Sequence, residues 1–177
     1  MKIFTLFFLM VISHCAIASD SNFEKKIALQ LQVKNLVKLI PPQQISDEIY
    51  TPYAVQAIQE SDIMPTCSLV DKNDVSNTLV LIAPSDGQFA NCHQNIQKPL
   101  ISRINSDYYA TYTYVIEDPR AVFVTSYQLV KLTKDGFYQC KEDDAINVEI
   151  SRKLKAKMKL KTAIEMVIKK TGCTNAK

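Results

Sequence analysis

Few side chains in this sequence could carry out bond chemistry. Histidine occurs twice, at His14 and His93. His14 falls in an N-terminal leader, so a Ser-His-Asp or Cys-His mechanism would have to use His93. Its neighbour Cys92 is expected in a disulfide, which removes the adjacent nucleophile. His93 therefore reads as a solvated loop residue, and one imidazole cannot make a His-rich metal site. Carboxylates are more numerous: Asp86, Asp107, Glu117, Asp118, Asp135 and the cluster Glu142-Asp143-Asp144. Asp86, Asp118 and Asp135 sit in turn signals, where Asp bonds local backbone. The 142–144 cluster lacks the alternating ligands and glycine of a calcium loop. The three glycines are Gly87, Gly136 and Gly172. Two belong to Asp-Gly turns and one to a helix end, so none remains for a phosphate cradle or a nucleophile elbow. The chain is expected to be no enzyme and to need no cofactor or metal. The enzymatic competitor is a small hydrolase using carboxylates or His93.

Binding residues are better represented. Six of the eight tyrosines are Tyr108, Tyr109, Tyr112, Tyr114, Tyr127 and Tyr138. Alternation along 108–116 places Tyr108, Tyr112 and Tyr114 on one face, and Tyr109, Thr111 and Thr113 on the other. If an N-terminal helix covers the first face, Tyr109, Thr111 and Thr113 point to solvent as contact residues. The second candidate surface is cationic. From Ser19 to Glu149 there are 11 Lys+Arg against 17 Asp+Glu, whereas Ile150 to Lys177 holds 9 basic residues and the single acid Glu165. Lys155, Lys157 and Lys159 lie at the centre of this strip, which could attract an anionic surface. Export argues against nucleic acid as the partner.

The elements that must position these residues follow from pattern. Met1-Lys2, the apolar run Ile3–Ile12 and Ala16-Ile17-Ala18 form a secretory leader, with cleavage expected before Ser19. A competing lipoprotein signal would lipidate Cys15, but His14 stands where a small residue is required. The chain is thus read as a leader, 1–18, and one domain, 19–177, that is periplasmic or secreted and has no transmembrane segment. Four cysteines remain, Cys67, Cys92, Cys140 and Cys173. Export implies two disulfides, with the sequential pairs Cys67–Cys92 and Cys140–Cys173 favoured because they close the shortest loops.

Phe23, Ile27, Leu31, Leu36 and Ile40 recur near every fourth position and outline an N-terminal helix ending at Pro41-Pro42. Thr51-Pro52 reads as the start of a short second helix through Gln59. Strands are expected at 68–70 and 78–82, then at 109–117, 121–133 and 137–141, where β-branched and aromatic residues dominate. Lys153 to Lys161 alternates with period two and reads as a strand, with a helix over 144–170 as its competitor. Thr162-Ala-Ile-Glu165 resembles a capping box for a final helix from Ala163 to Thr171, closed by Gly172.

An offset of about 49 residues relates Leu79–Ile82, Asp86-Gly87 and Cys92 to Leu129–Leu132, Asp135-Gly136 and Cys140. That suggests an internal duplication, which requires Lys153–Lys161 to be a strand. The fold class expected is α+β: an antiparallel sheet of five to seven strands, packed against an N-terminal helix and closed by a short C-terminal one. Function is expected to be binding of another protein, as an inhibitor or immunity protein against an envelope-acting toxin or hydrolase. The alternative is an envelope-associated protein holding an anionic surface through its basic strip.

Overall fold

The computed structural model describes residues 15–33, 35–58, 66–82, 96–118, 122–141 and 143–173. The elements run α1 (Cys15–Gln30), β1 (Asn35–Ile40), β2 (Gln44–Ser46), β3 (Ile49–Tyr50), β4 (Tyr53–Ile58), β5 (Thr66–Val70) and β6 (Thr78–Ile82). They continue as β7 (Leu100–Ile104), β8 (Asp107–Asp118), β9 (Val122–Thr133), β10 (Gly136–Gln139), α2 (Asp143–Lys155) and α3 (Leu160–Thr171). The class is α+β, with an N-terminal helix and a short C-terminal helix. The strands form two four-stranded antiparallel sheets, ordered β1-β4-β5-β6 and β10-β9-β8-β7, and a two-stranded ribbon, β2-β3.

The N-terminal periodicity is shared between two elements. Phe23 and Ile27 of α1, and Leu31 just past its end, pack onto Tyr53, Val55 and Val70 of the first sheet. The helix then stops. Val33 N–H donates to Ala28 O and Gln32 N–H to Leu29 O, with Gln32 at a φ of 53°, a left-handed helix end. Leu36 reaches the same cluster from β1, while Ile40 lies between the two sheets. A bulge between Lys38 and Ile40 allows this, because the extra residue turns Ile40 to the opposite face. The expected single helix through Ile40 is thus replaced by a helix and a strand. An i, i+4 apolar series satisfies both periods, and β-branched content decided locally.

The second expected helix is also a strand, β4. Thr51 is buried, and its hydroxyl accepts from Gln43 N–H at 2.8 Å, tying down a loop rather than capping a helix. The three strands expected between 109 and 141 are present as β8, β9 and β10. Eleven residue pairs join β8 to β9, from Tyr108–Leu132 to Asp118–Val122. β7 and β10 flank only the base of this hairpin.

The molecule is built in four layers: α1, first sheet, second sheet, and the pair α2–α3. Ile40, Ala54 and Leu69 of the first sheet meet Ala110, Tyr112, Val130, Leu132 and Phe137 of the second. Hydrogen bonds also cross the same interface. Tyr112 Oη–H donates to Pro52 O at 3.1 Å, and Asn77 Nδ2–H donates to Phe137 O at 3.1 Å. On the far face of the second sheet, Tyr109, Tyr127 and Leu129 pack against Ile146 and Ile150 of α2 and Ile164, Val167 and Ile168 of α3. The Cys140–Cys173 disulfide joins the end of the second sheet to the end of α3, as the short-loop argument expects. Cys67 is also disulfide-bonded. Its expected partner Cys92 lies outside the described residues, as do His93, Asp86 and Gly87.

Lys153–Lys161 is not a strand. It is the end of α2, a turn at 156–157 and the start of α3. The duplication fails on this segment. β6 is moreover an edge strand of the first sheet, whereas its proposed counterpart in β9 is an inner strand of the second.

Candidate functional site

The two expected surfaces fare differently. The Tyr109 face of β8 lies beneath α2 and α3, with Tyr109 5% and Thr111 1% exposed. Burial raises the Tyr109 phenol above its usual range, helped by the neighbouring Asp107 charge. The Thr111 hydroxyl is buried with no hydrogen-bond partner among the described residues. Thr113 is half-buried. The Tyr112 face is covered by the first sheet, and burial holds the Tyr112 phenol un-ionised well beyond its ordinary value. Neither face of β8 is an open aromatic surface at these positions.

Lys155, Lys157 and Lys159, by contrast, are brought together and exposed at the junction of α2 and α3. The local structure explains why. Asp143 and Asp144 open α2, and Arg152, Lys153 and Lys155 occupy its last turn, so both ends complement the helix dipole. The helix ends in a Schellman motif: Met158 N–H donates to Lys153 O at 3.2 Å and Lys157 N–H to Leu154 O at 2.8 Å. Lys157 takes the left-handed position, φ 62°, which glycine usually fills.

α3 then begins one turn earlier than the Thr162 capping box implied. Its N-cap is Lys159, which makes no side-chain cap hydrogen bond, and its first turn has no acidic residue. Lys159 and Lys161 therefore add their charge to the positive end of the helix dipole, where carboxylates are normally favoured.

Pairing separates these cations from their neighbours. Glu149 receives a bidentate bond from Arg152, Nε and Nη2 each at 2.7 Å, with Lys153 Nζ at 3.6 Å. The Arg152 hydrogen bonds hold the Glu149 carboxyl down to about 2. Among the described residues, no carboxylate pairs with Lys155, Lys157, Lys159 or Lys161. Sequence alternation found Lys155, Lys157 and Lys159. It missed Lys169 and Lys170, exposed on α3, and the exposed Val148 and Met166, whose helical spacing becomes visible only once the segment is read as two helices.

One concave site carries mixed charge. A cleft of about 300 Å³ at one end of the sandwich is lined by Asp47, Glu48, Ile49, Asp107, Tyr108 and Lys134, among others. Asp107 is already paired with Lys131 at 2.8 Å. Among the described residues no three His, Cys, Asp or Glu side chains converge, and no helix is long and apolar enough to cross a membrane. No family model, curated protein or solved structure matches the chain.

Proposed function

We propose that this chain is an exported, non-catalytic binding domain that engages an anionic partner through the lysine-bearing junction of α2 and α3. The observation that carries this reading is the exposed set Lys155, Lys157 and Lys159, which no carboxylate among the described residues pairs. Lys157 also keeps a strained backbone position that a glycine would relieve. Export is supported by the leader pattern at 1–18 and by the Cys140–Cys173 disulfide, which persists in an oxidising compartment. The test is elution from a heparin column against rising salt. Wild type is expected to elute at clearly higher salt than a K155Q/K157Q/K159Q variant whose circular dichroism is unchanged. Co-elution of the two would remove the reading.

A second reading, a protein-binding inhibitor or immunity protein, is favoured by one feature. The β8–β9 hairpin runs past β7 and β10, and near its far end Phe123 and Val124 are exposed. An aromatic on a projecting ribbon suits insertion into a partner's pocket. Replacing Phe123 by Ser should weaken a 1:1 complex with an envelope-acting enzyme encoded beside this chain. Absence of any such complex would dispose of that reading.

A further inference from the structure

We infer that the anionic partner is a phospholipid bilayer, on which the outer face of α2 and α3 lies flat. The inference rests on the anion-binding reading above and adds the identity of the surface. Its basis is the composition of the helix face turned away from the second sheet. In α2 the buried positions are Ile146 and Ile150, and in α3 they are Ala163, Ile164, Val167 and Ile168. Helical spacing of three and four residues then groups Val148, Arg152 and Lys155 on the outer side of α2. The same spacing groups Thr162, Met166, Lys169 and Lys170 on the outer side of α3. All seven are exposed.

Two aliphatic side chains thus stand among the lysines, Val148 at 69% and Met166 at 45% exposure. Charge alone would serve a polysaccharide or an acidic protein. An interfacial helix needs apolar side chains to enter the headgroup region and lysines beside them to hold anionic lipid. Lysine stems extend this apolar contact while their ammonium groups stay at the phosphates. Arg152 is already committed to Glu149, so the attraction falls to Lys155, Lys157, Lys159, Lys169 and Lys170, opposed on this side by the exposed Asp144 and the partly exposed Glu165.

The experiment compares vesicle co-sedimentation with heparin elution for the disulfide-bonded chain recovered after export. Vesicles are neutral phosphatidylcholine, or the same lipid with about a third phosphatidylglycerol. Wild type is expected to partition at least about tenfold more strongly onto the anionic vesicles, each lysine contributing roughly fivefold. V148S/M166S should lower that partition about tenfold while leaving heparin elution unchanged. K155Q/K157Q/K159Q should lower both. Lysine-dependent heparin retention without vesicle binding would overturn the bilayer and leave the anion-binding reading standing. Loss of both in wild type would overturn the two together. Equal vesicle binding by wild type and V148S/M166S would overturn the insertion of the aliphatic pair and with it this inference.

Discussion

Among the described residues, three end helices in the left-handed region, and they are chemically different: Gln32, Lys157 and Gly172. Gly172 is the one the sequence announces. A Cβ there would meet nothing within 4 Å, so its value lies in its backbone, φ 61°, and in the N–H it gives to Ile168 O at 2.8 Å. At Lys157 the same conformation is held by a side chain with a Cβ, at a cost of about 1 kcal/mol. Replacing Lys157 by Gly should therefore raise stability by up to ~1 kcal/mol while weakening binding to anionic vesicles or heparin. Urea denaturation and salt elution on one preparation would check both directions. A drop in stability would show that Lys157 contributes contacts the backbone argument omits. Sequence inspection had no means of seeing this position, because the left-handed residue is defined by two hydrogen bonds that form only when α2 stops at Lys155.

At the scale of elements, the alternation in Lys153–Lys161 is a product of two helices meeting. Leu154 continues the series Ile146, Ile150 at intervals of four, and Leu160 opens the series Leu160, Ile164, Ile168. Ala156 and Met158 fall in and beside the turn between them. Two periods of 3.6 joined across a short break imitate a period of two over nine residues. The strong helix formers in that stretch carried the correct signal.

The pair Glu149–Arg152 stabilises α2 locally, and its pH dependence has a definite sign. The folded carboxyl titrates near 2 rather than its usual 4.5, chiefly because Arg152 hydrogen-bonds the charged form. A depressed carboxyl contributes stability that is present above about pH 4.5 and lost as pH falls toward 2. Wild type should thus exceed Glu149→Gln in Tm at pH 6, and the difference should close by pH 2. A constant difference across that range would refute the linkage.

For the whole molecule, the decisive contact is between the two sheets. The Asp135-Gly136 turn joins β9 to β10, as its residue types imply, but its glycine has a second role. A Cβ on Gly136 would lie 2.6 Å from Asp71 Oδ2 and 2.9 Å from Asn77 Nδ2, and φ is 124°. Asn77 at the same place donates to Phe137 O. The glycine lets the β9–β10 turn press against the loop between β5 and β6, closing one end of the sandwich. Gly136→Ala should cost roughly 2–4 kcal/mol, since both the backbone region and the space are denied. A thermal shift near zero would mean that the loop moves aside freely.

What the sequence determined by itself is local or set by covalent distance. The β5–β6 and β8–β9–β10 hairpins, the left-handed end at Gly172 and the separation of charge are all legible from neighbouring residues, while short loops only favour Cys140–Cys173 among three possible connectivities. Each depends on turn chemistry, short loops or composition. Tertiary structure decided what covers each strand face. Period-two alternation shows that Tyr109 and Tyr112 point opposite ways, but either face could meet solvent. The second sheet is covered by the first sheet on one side and by α2–α3 on the other, so both tyrosines are buried. The lysines between α2 and α3 are left outside because Leu154 and Leu160 take the inward positions. Burial is a competition among all apolar faces of the chain, and it is resolved only when they pack together.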